Sequence, residues 1–166
     1  MFFLNKKEPQ TRVKKVFRGA NSINLDSKGR IAVPAKYRPV ISEYSNSHLI
    51  ITCDPYDNCL LIFTLEDWEN TEADLQLLSN SKRNHRRLKR IMLSHATEVD
   101  MDANGRLLVP SVLRERAKLV KEVMLTGNGK TFQLWDKSRW DQLALEDMAV
   151  MTDEELDSDD LPDLYF

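Results

Sequence analysis

Cysteine is scarce: Cys53 and Cys59 are the only two in 166 residues. That is too few for a disulfide framework and points to a reducing, cytosolic setting. No apolar run approaches the roughly 18–20 residues of a membrane-spanning helix. The opening MFFLNKKEPQ has neither the apolar stretch nor the small-residue cleavage site of a secretory signal. Five glycines and six prolines exclude a collagen-like chain. Also missing are H-E-x-x-H, G-x-S-x-G, G-x-G-x-x-G and G-x-x-x-x-G-K, and with them the commonest metal, nucleophile and nucleotide sites. His48, His85 and His95 are scattered, with no carboxylate placed to orient them. A lone C-x₅-C is a weak metal signal, so buried packing is expected for both cysteines. No metal, cofactor, membrane or small-molecule substrate is expected, and the chain does not read as an enzyme.

The net charge of −2 conceals an asymmetry. Residues 141–166 carry ten acidic side chains and no Lys or Arg, leaving residues 1–140 with 24 basic against 16 acidic, net +8. A basic body with an acidic tail is a weak nucleic-acid footprint.

The most informative feature is an internal repeat. INLDSKGRIAVPAKYR (23–38) aligns without gaps on VDMDANGRLLVPSVLR (99–114), with six of sixteen positions identical. These are Asp26/Asp102, Gly29/Gly105, Arg30/Arg106, Val33/Val109, Pro34/Pro110 and Arg38/Arg114. The similarity continues more loosely through residues 60–63 against 132–135 and Trp68 against Trp140. Each copy reads as strand, tight turn, strand. The Asp carboxylate can accept backbone N–H bonds across the turn, and the Gly can take the positive φ that closes it. Pro34 and Pro110 should end the second strand and admit a short helix. Further strands are expected at 48–52 and 60–63, with counterparts at 123–126 and 132–135, and Gly127-Asn-Gly129 is expected to turn the second pair. Helices follow: Thr64-Leu-Glu-Asp67 has the form of a capping box, and Asp136 can cap its counterpart. Leu88, Ile91, Met92 and His95 fall at helical spacing, which predicts a connecting helix over 80–96. A copy of about fifty residues cannot close a core alone, so the halves should pack as a pseudo-dimer.

Three candidate sites arise. The D-x-x-G-R turns could carry Lys28 and Arg30, or Arg106 beside Asn104, into a DNA groove, where an Arg fork pairs bidentately with guanine. The plainer alternative is a turn whose Asp pairs with its own Arg and does nothing more. Asp100-x-Asp102-x-Asn104-Gly105 opens like a calcium loop. Its twelfth position, however, is Ser111 instead of a bidentate Glu, and the sister copy has Lys28 at a ligand position, so calcium is rejected. Arg83, Arg86, Arg87 and Arg90 share one helical face and are candidate phosphate contacts, or a solvated face, or partners in inter-subunit salt bridges.

The stretches FRGANSINLDSKGRIAVPAKYR, HATEVDMDANGRLLVP and LRERAKLVKEVMLTG resemble the MraZ family, bacterial transcriptional regulators with two AbrB-type domains. The resemblance runs from about Phe17 to Trp140 and includes both D-x-x-x-R signatures. It implies an α+β fold: duplicated, β-hairpin-rich AbrB-like domains of the swapped-hairpin kind, packed as an intrachain pseudo-dimer with connecting helices. The corresponding segments are a basic extension (1–19), domain 1 (20–67), connecting helices (68–95), domain 2 (96–139) and an acidic helix and tail (140–166). The resemblance also implies a ring-shaped homo-oligomer, cytoplasmic and nucleoid-associated. It would bind direct repeats in double-stranded DNA upstream of the division and cell-wall gene cluster, usually repressing that cluster together with its own gene. The family's DNA-contacting motif maps onto Asp26, Lys28 and Arg30, and onto Asp102 and Arg106, with Asn104 in place of the Lys. Family chains begin near Phe17 with Met where Val16 stands. Val16 is therefore read as an alternative start, with residues 1–15 untranslated; if translated, Lys6, Lys7, Arg12, Lys14 and Lys15 form a basic arm. The alternatives are an antitoxin-like AbrB protein and a ring-forming protein-interaction scaffold.

Overall fold

A computed structural model of the chain describes residues 16–151. The basic arm, the start-site reading of residues 1–15 and the acidic tail from 152 onward lie outside the described residues. The first copy runs β1 (Phe17–Asn24), β2 (Arg30–Ala32), α1 (Arg38–Ser45), β3 (His48–Cys53), β4 (Leu60–Thr64) and α2 (Leu65–Leu77). After α3 (Arg83–Met92) the second copy repeats that order as β5 (Thr97–Asp100), β6 (Arg106–Leu108), α4 (Ser111–Arg116), β7 (Glu122–Gly129), β8 (Thr131–Asp136) and α5 (Lys137–Val150). As Pro34 and Pro110 require, β2 stops at Ala32 and β6 at Leu108, since proline has no N–H for a further ladder bond.

The copies are interwoven. The main sheet has the order β1-β7-β8-β4-β3-β5, all neighbours antiparallel, and β2 pairs with β6 in a separate ribbon. Exchanging each strand for its counterpart reverses this order and leaves it unchanged, which is the signature of an internal two-fold. The first strand of each copy lies against the third strand of the other: β1 on β7, and β5 on β3. Paired bonds repeat the symmetry, with Leu25 N donating to Lys121 O (2.8 Å) and Met101 N to Ser47 O (2.9 Å).

Side-chain alternation divides the sheet between two cores. Leu49, Ile51, Leu60, Ile62, Val123, Leu125, Phe132 and Leu134 face the ribbon side, where they meet Ile31 and Leu107 of the ribbon and Ile41 and Leu113 of α1 and α4. Ile50 and Phe63 face the opposite side and pack with Trp68, Leu75 and Met92 of α2 and α3. Cys59, Met124 and Trp135 form a smaller cluster with Trp140 of α5. Both cysteines are free and buried, and burial pushes both thiols up from the ordinary value, Cys59 the further.

Three local expectations need correction. The connecting helix covers Arg83–Met92 only, leaving His95 in the turn beyond it, its Nδ1 beside the carbonyls of Arg90 and Ile91. No capping box forms at Thr64: its hydroxyl donates to Asp67 Oδ2 (2.8 Å), and Ser45 Oγ from α1 accepts the Leu65 N–H (2.9 Å). Gly127 lies inside β7 opposite Gly19, and the chain reverses at Gly129 and Lys130 between the paired Asn128 and Thr131. Asp136 does cap α5, accepting from the N–H groups of Ser138 and Arg139.

Candidate nucleic-acid interface

Asp26 organises the first turn. Its Oδ1 accepts the N–H groups of Lys28 and Arg30, both at 2.9 Å, and its Oδ2 accepts Arg30 Nε at 2.7 Å. Two backbone bonds close the loop, Asp26 N to Arg30 O (2.9 Å) and Gly29 N to Asp26 O (3.0 Å), with Gly29 at φ +78°. The second turn is a close copy. Asp102 Oδ1 accepts the N–H groups of Asn104 and Arg106 at 2.9 Å, and Oδ2 accepts Arg106 Nε at 2.8 Å. The Asp26 carboxyl is held down to about 2, first by the Arg30 N–H and then, against some desolvation, by the Arg30 side chain and Lys28 N–H. Asp102 is lowered for the same reasons, led by the Arg106 N–H. Both carboxylates therefore stay ionised at neutral pH.

The Asp–Arg pairing of the plainer alternative is thus present, but among the described residues it engages only Nε. The terminal Nη groups remain, in a side chain 27% exposed at Arg30 and 35% at Arg106. Guanidinium carries five donors, so a carboxylate held on Nε aims the rest without consuming them. Lys28 and Asn104 are exposed in their turns.

The ribbon brings the two arginines together. Its register sets Arg30 opposite Leu108, Ile31 opposite Leu107 and Ala32 opposite Arg106. Ile31 and Leu107 point into the core, 0% and 1% exposed, so alternation turns Arg30, Ala32, Arg106 and Leu108 to the other face. Arg30 and Arg106 are then diagonal cross-strand neighbours, a relation that spans roughly 7–8 Å. Leu108, 53% exposed, stands directly opposite Arg30 on the same face. The result is a two-stranded platform with a guanidinium at each diagonal corner and a locked turn at each end.

Two residues of this region carried no role in the sequence reading: Arg38 and Arg114. Their identity in the repeat was the only signal. Arg114 lies over Gly29 of the first turn, and Arg38 over Gly105 of the second. The ribbon joins the same partners, Val33 N donating to Gly105 O (2.8 Å) and Val109 N to Gly29 O (2.9 Å).

The arginines of α3 are elsewhere. Arg83, Arg86, Arg87 and Arg90 are all exposed, but α3 covers the Ile50–Phe63 side of the sheet, opposite the ribbon. Arg86 also donates to the carbonyls of Asn80 (2.8 Å) and Ser81 (3.1 Å), tying down the loop before its helix. The arginines of the ribbon and those of α3 therefore lie on opposite sides of the main sheet. No helix among the described residues is long and apolar enough to cross a membrane.

Residues 16–91 and 92–160 each match the family described as "MraZ protein, putative antitoxin-like". Curated relatives agree. The chain is 42% identical over 149 residues to "Transcriptional regulator MraZ" of Pseudomonas putida (strain W619), covering 90% of this chain and 99% of the relative. It is 45% identical over the same shares to the protein of that name from Pseudomonas syringae pv. syringae (strain B728a). The match to that of Hydrogenovibrio crunogenus (strain DSM 25203 / XCL-2) is 49% over 125 residues, 75% of this chain and 82% of the relative.

Proposed function

The chain belongs to the MraZ family, whose curated members are named transcriptional regulators, and we propose that it is a sequence-specific DNA-binding repressor. Its targets are direct repeats upstream of the division and cell-wall gene cluster, including its own gene, and it acts in the cytoplasm on the nucleoid. The observation that carries this reading is the duplicated locked turn: two outward arginines, each oriented by an ionised aspartate, diagonal on one ribbon face. A two-stranded β ribbon fits the major groove, and each bidentate Arg–guanine pair contributes about 1–3 kcal/mol of discrimination. Lys28 adds a phosphate contact, and exposed Leu108 offers an apolar surface to a thymine methyl.

One platform binds weakly. A ring-shaped homo-oligomer presents many, and repeated operator boxes let several engage at once, so that effective concentration supplies the affinity. Footprinting the purified protein on DNA upstream of its own gene tests the reading. Protection of discrete repeats, an affinity that falls steeply with salt, and loss of binding in Arg30→Ala with the oligomer intact are expected. Salt-insensitive association without protected repeats would refute it and favour a protein-interaction scaffold.

A further inference from the structure

We infer that Arg38 and Arg114 are positioning residues of the DNA-binding turns and that they act crosswise: Arg114 of the second copy holds the turn at 26–30, and Arg38 of the first copy holds the turn at 102–106. The inference rests on the DNA-binding reading for its functional meaning, while its structural content stands apart from it.

The contacts are reciprocal. Gly29 is buried, and a Cβ built on it would come within 2.5 Å of Arg114 Cζ and 2.8 Å of Nε and Nη1. The guanidinium therefore lies directly on the glycine, which only a residue without a side chain allows. Gly105 is buried in the same way under Nε, Cζ and Cδ of Arg38. Each turn thus has an aspartate of its own copy on one side and an arginine of the other copy on the other. A planar guanidinium can lie flat on a peptide; a lysine ammonium on a flexible stem cannot.

The braces differ in one respect. Arg38 Nε donates to Val33 O at 2.8 Å, and Val33 N donates to Gly105 O at 2.8 Å, so Arg38 also secures the link to the turn it covers. Arg114 Nε is enclosed without an acceptor among the described residues, so Arg114 holds Gly29 through packing.

Hydrogen exchange read by mass spectrometry on the full-length assembled protein without DNA, paired with fluorescence anisotropy on the upstream DNA, tests this. The variants are Arg114→Ala, Arg114→Lys, Arg38→Ala and Arg38→Lys. Both Arg114 variants should speed exchange at 26–30 about tenfold and leave 102–106 unchanged, and the Arg38 variants should do the reverse. Unchanged protection in β4 and β8 verifies the fold, and the lysine variants carry the test if an alanine variant fails to assemble. Each variant should also weaken operator binding about tenfold, with lysine giving no rescue. Loosening of a variant's own turn, equal loosening of both, or no loosening would overturn the inference. So would restoration of affinity by lysine, which would indicate a charge contact alone. Because the exchange measurement needs no DNA, a crossed pattern together with an Arg30→Ala variant that still binds would refute the DNA reading and leave the brace standing.

Discussion

Two glycines with nearly the same backbone and different surroundings offer a controlled comparison. Gly29 has φ +78° and Gly129 φ +77°. Replacing either with alanine incurs the same left-handed penalty, roughly 1–2 kcal/mol. Around Gly129 no atom of the described residues lies within 4 Å of the new Cβ, whereas at Gly29 it meets the Arg114 guanidinium at 2.5–2.8 Å. The arginine end must swing away, and the lost packing adds roughly 1 kcal/mol on the scale of a single contact. Gly29→Ala should therefore destabilise by about twice as much as Gly129→Ala. In melting temperature the difference is about 2–4 °C per kcal/mol at this size. Thermal denaturation at one fixed protein concentration measures it, since assembly makes the midpoint concentration-dependent. Operator affinity, by anisotropy, should fall about tenfold in Gly29→Ala and stay unchanged in Gly129→Ala. Equal midpoints and equal affinities would show that Arg114 does not occupy the Gly29 surface.

Arg30→Ala and Arg106→Ala should each cost roughly 1–3 kcal/mol of discrimination at every engaged platform. Repeated over several platforms this abolishes specific binding, read by mobility shift against random duplex at fixed salt, while sedimentation shows the same assembly. Both turn aspartates titrate below their ordinary 3.8, Asp26 at about 2. Their bonds thus contribute fully above that ordinary value and are lost as pH falls through the depressed one. A carboxyl-carbon NMR titration of Asp26 should have its midpoint near 2, and one at or above 3.8 would contradict the turn geometry. Arg83→Ala/Arg87→Ala/Arg90→Ala should leave the salt slope of operator binding intact, because α3 faces away from the ribbon; three phosphate contacts would lower it by about 2.7. Removing the cap in Asp136→Ala should destabilise α5 by about 1 kcal/mol in a denaturant titration without altering DNA affinity.

Much of the turn was legible in the sequence because its chemistry is local. An aspartate two and four residues before the N–H groups it accepts, and a glycine where φ must be positive, are readable from spacing alone. The repeat likewise announced the order of elements. What spacing could not convey was which copy each strand would join: β1 on β7 and β5 on β3 are long-range choices, foreshadowed only by the family resemblance. Arg38 and Arg114 went unassigned for the same reason, since each partner lies in the opposite copy. At Thr64 local reading misled, because the Thr64 hydroxyl donates to the Asp67 carboxylate instead of accepting a helix N–H, and a residue from α1, Ser45, accepts the N–H of Leu65.

The palindromic strand order also constrains how the protein is made. β1 is synthesised early and must wait for β7, which leaves the ribosome roughly one hundred residues later. Until then the nascent first half carries an unmated edge and half a ribbon, an adhesive state for which another nascent copy is a ready substitute partner. Crowded translation of one message therefore favours exchange of halves between chains, and the second repeat is the intramolecular remedy, arriving tethered to the strand that needs it.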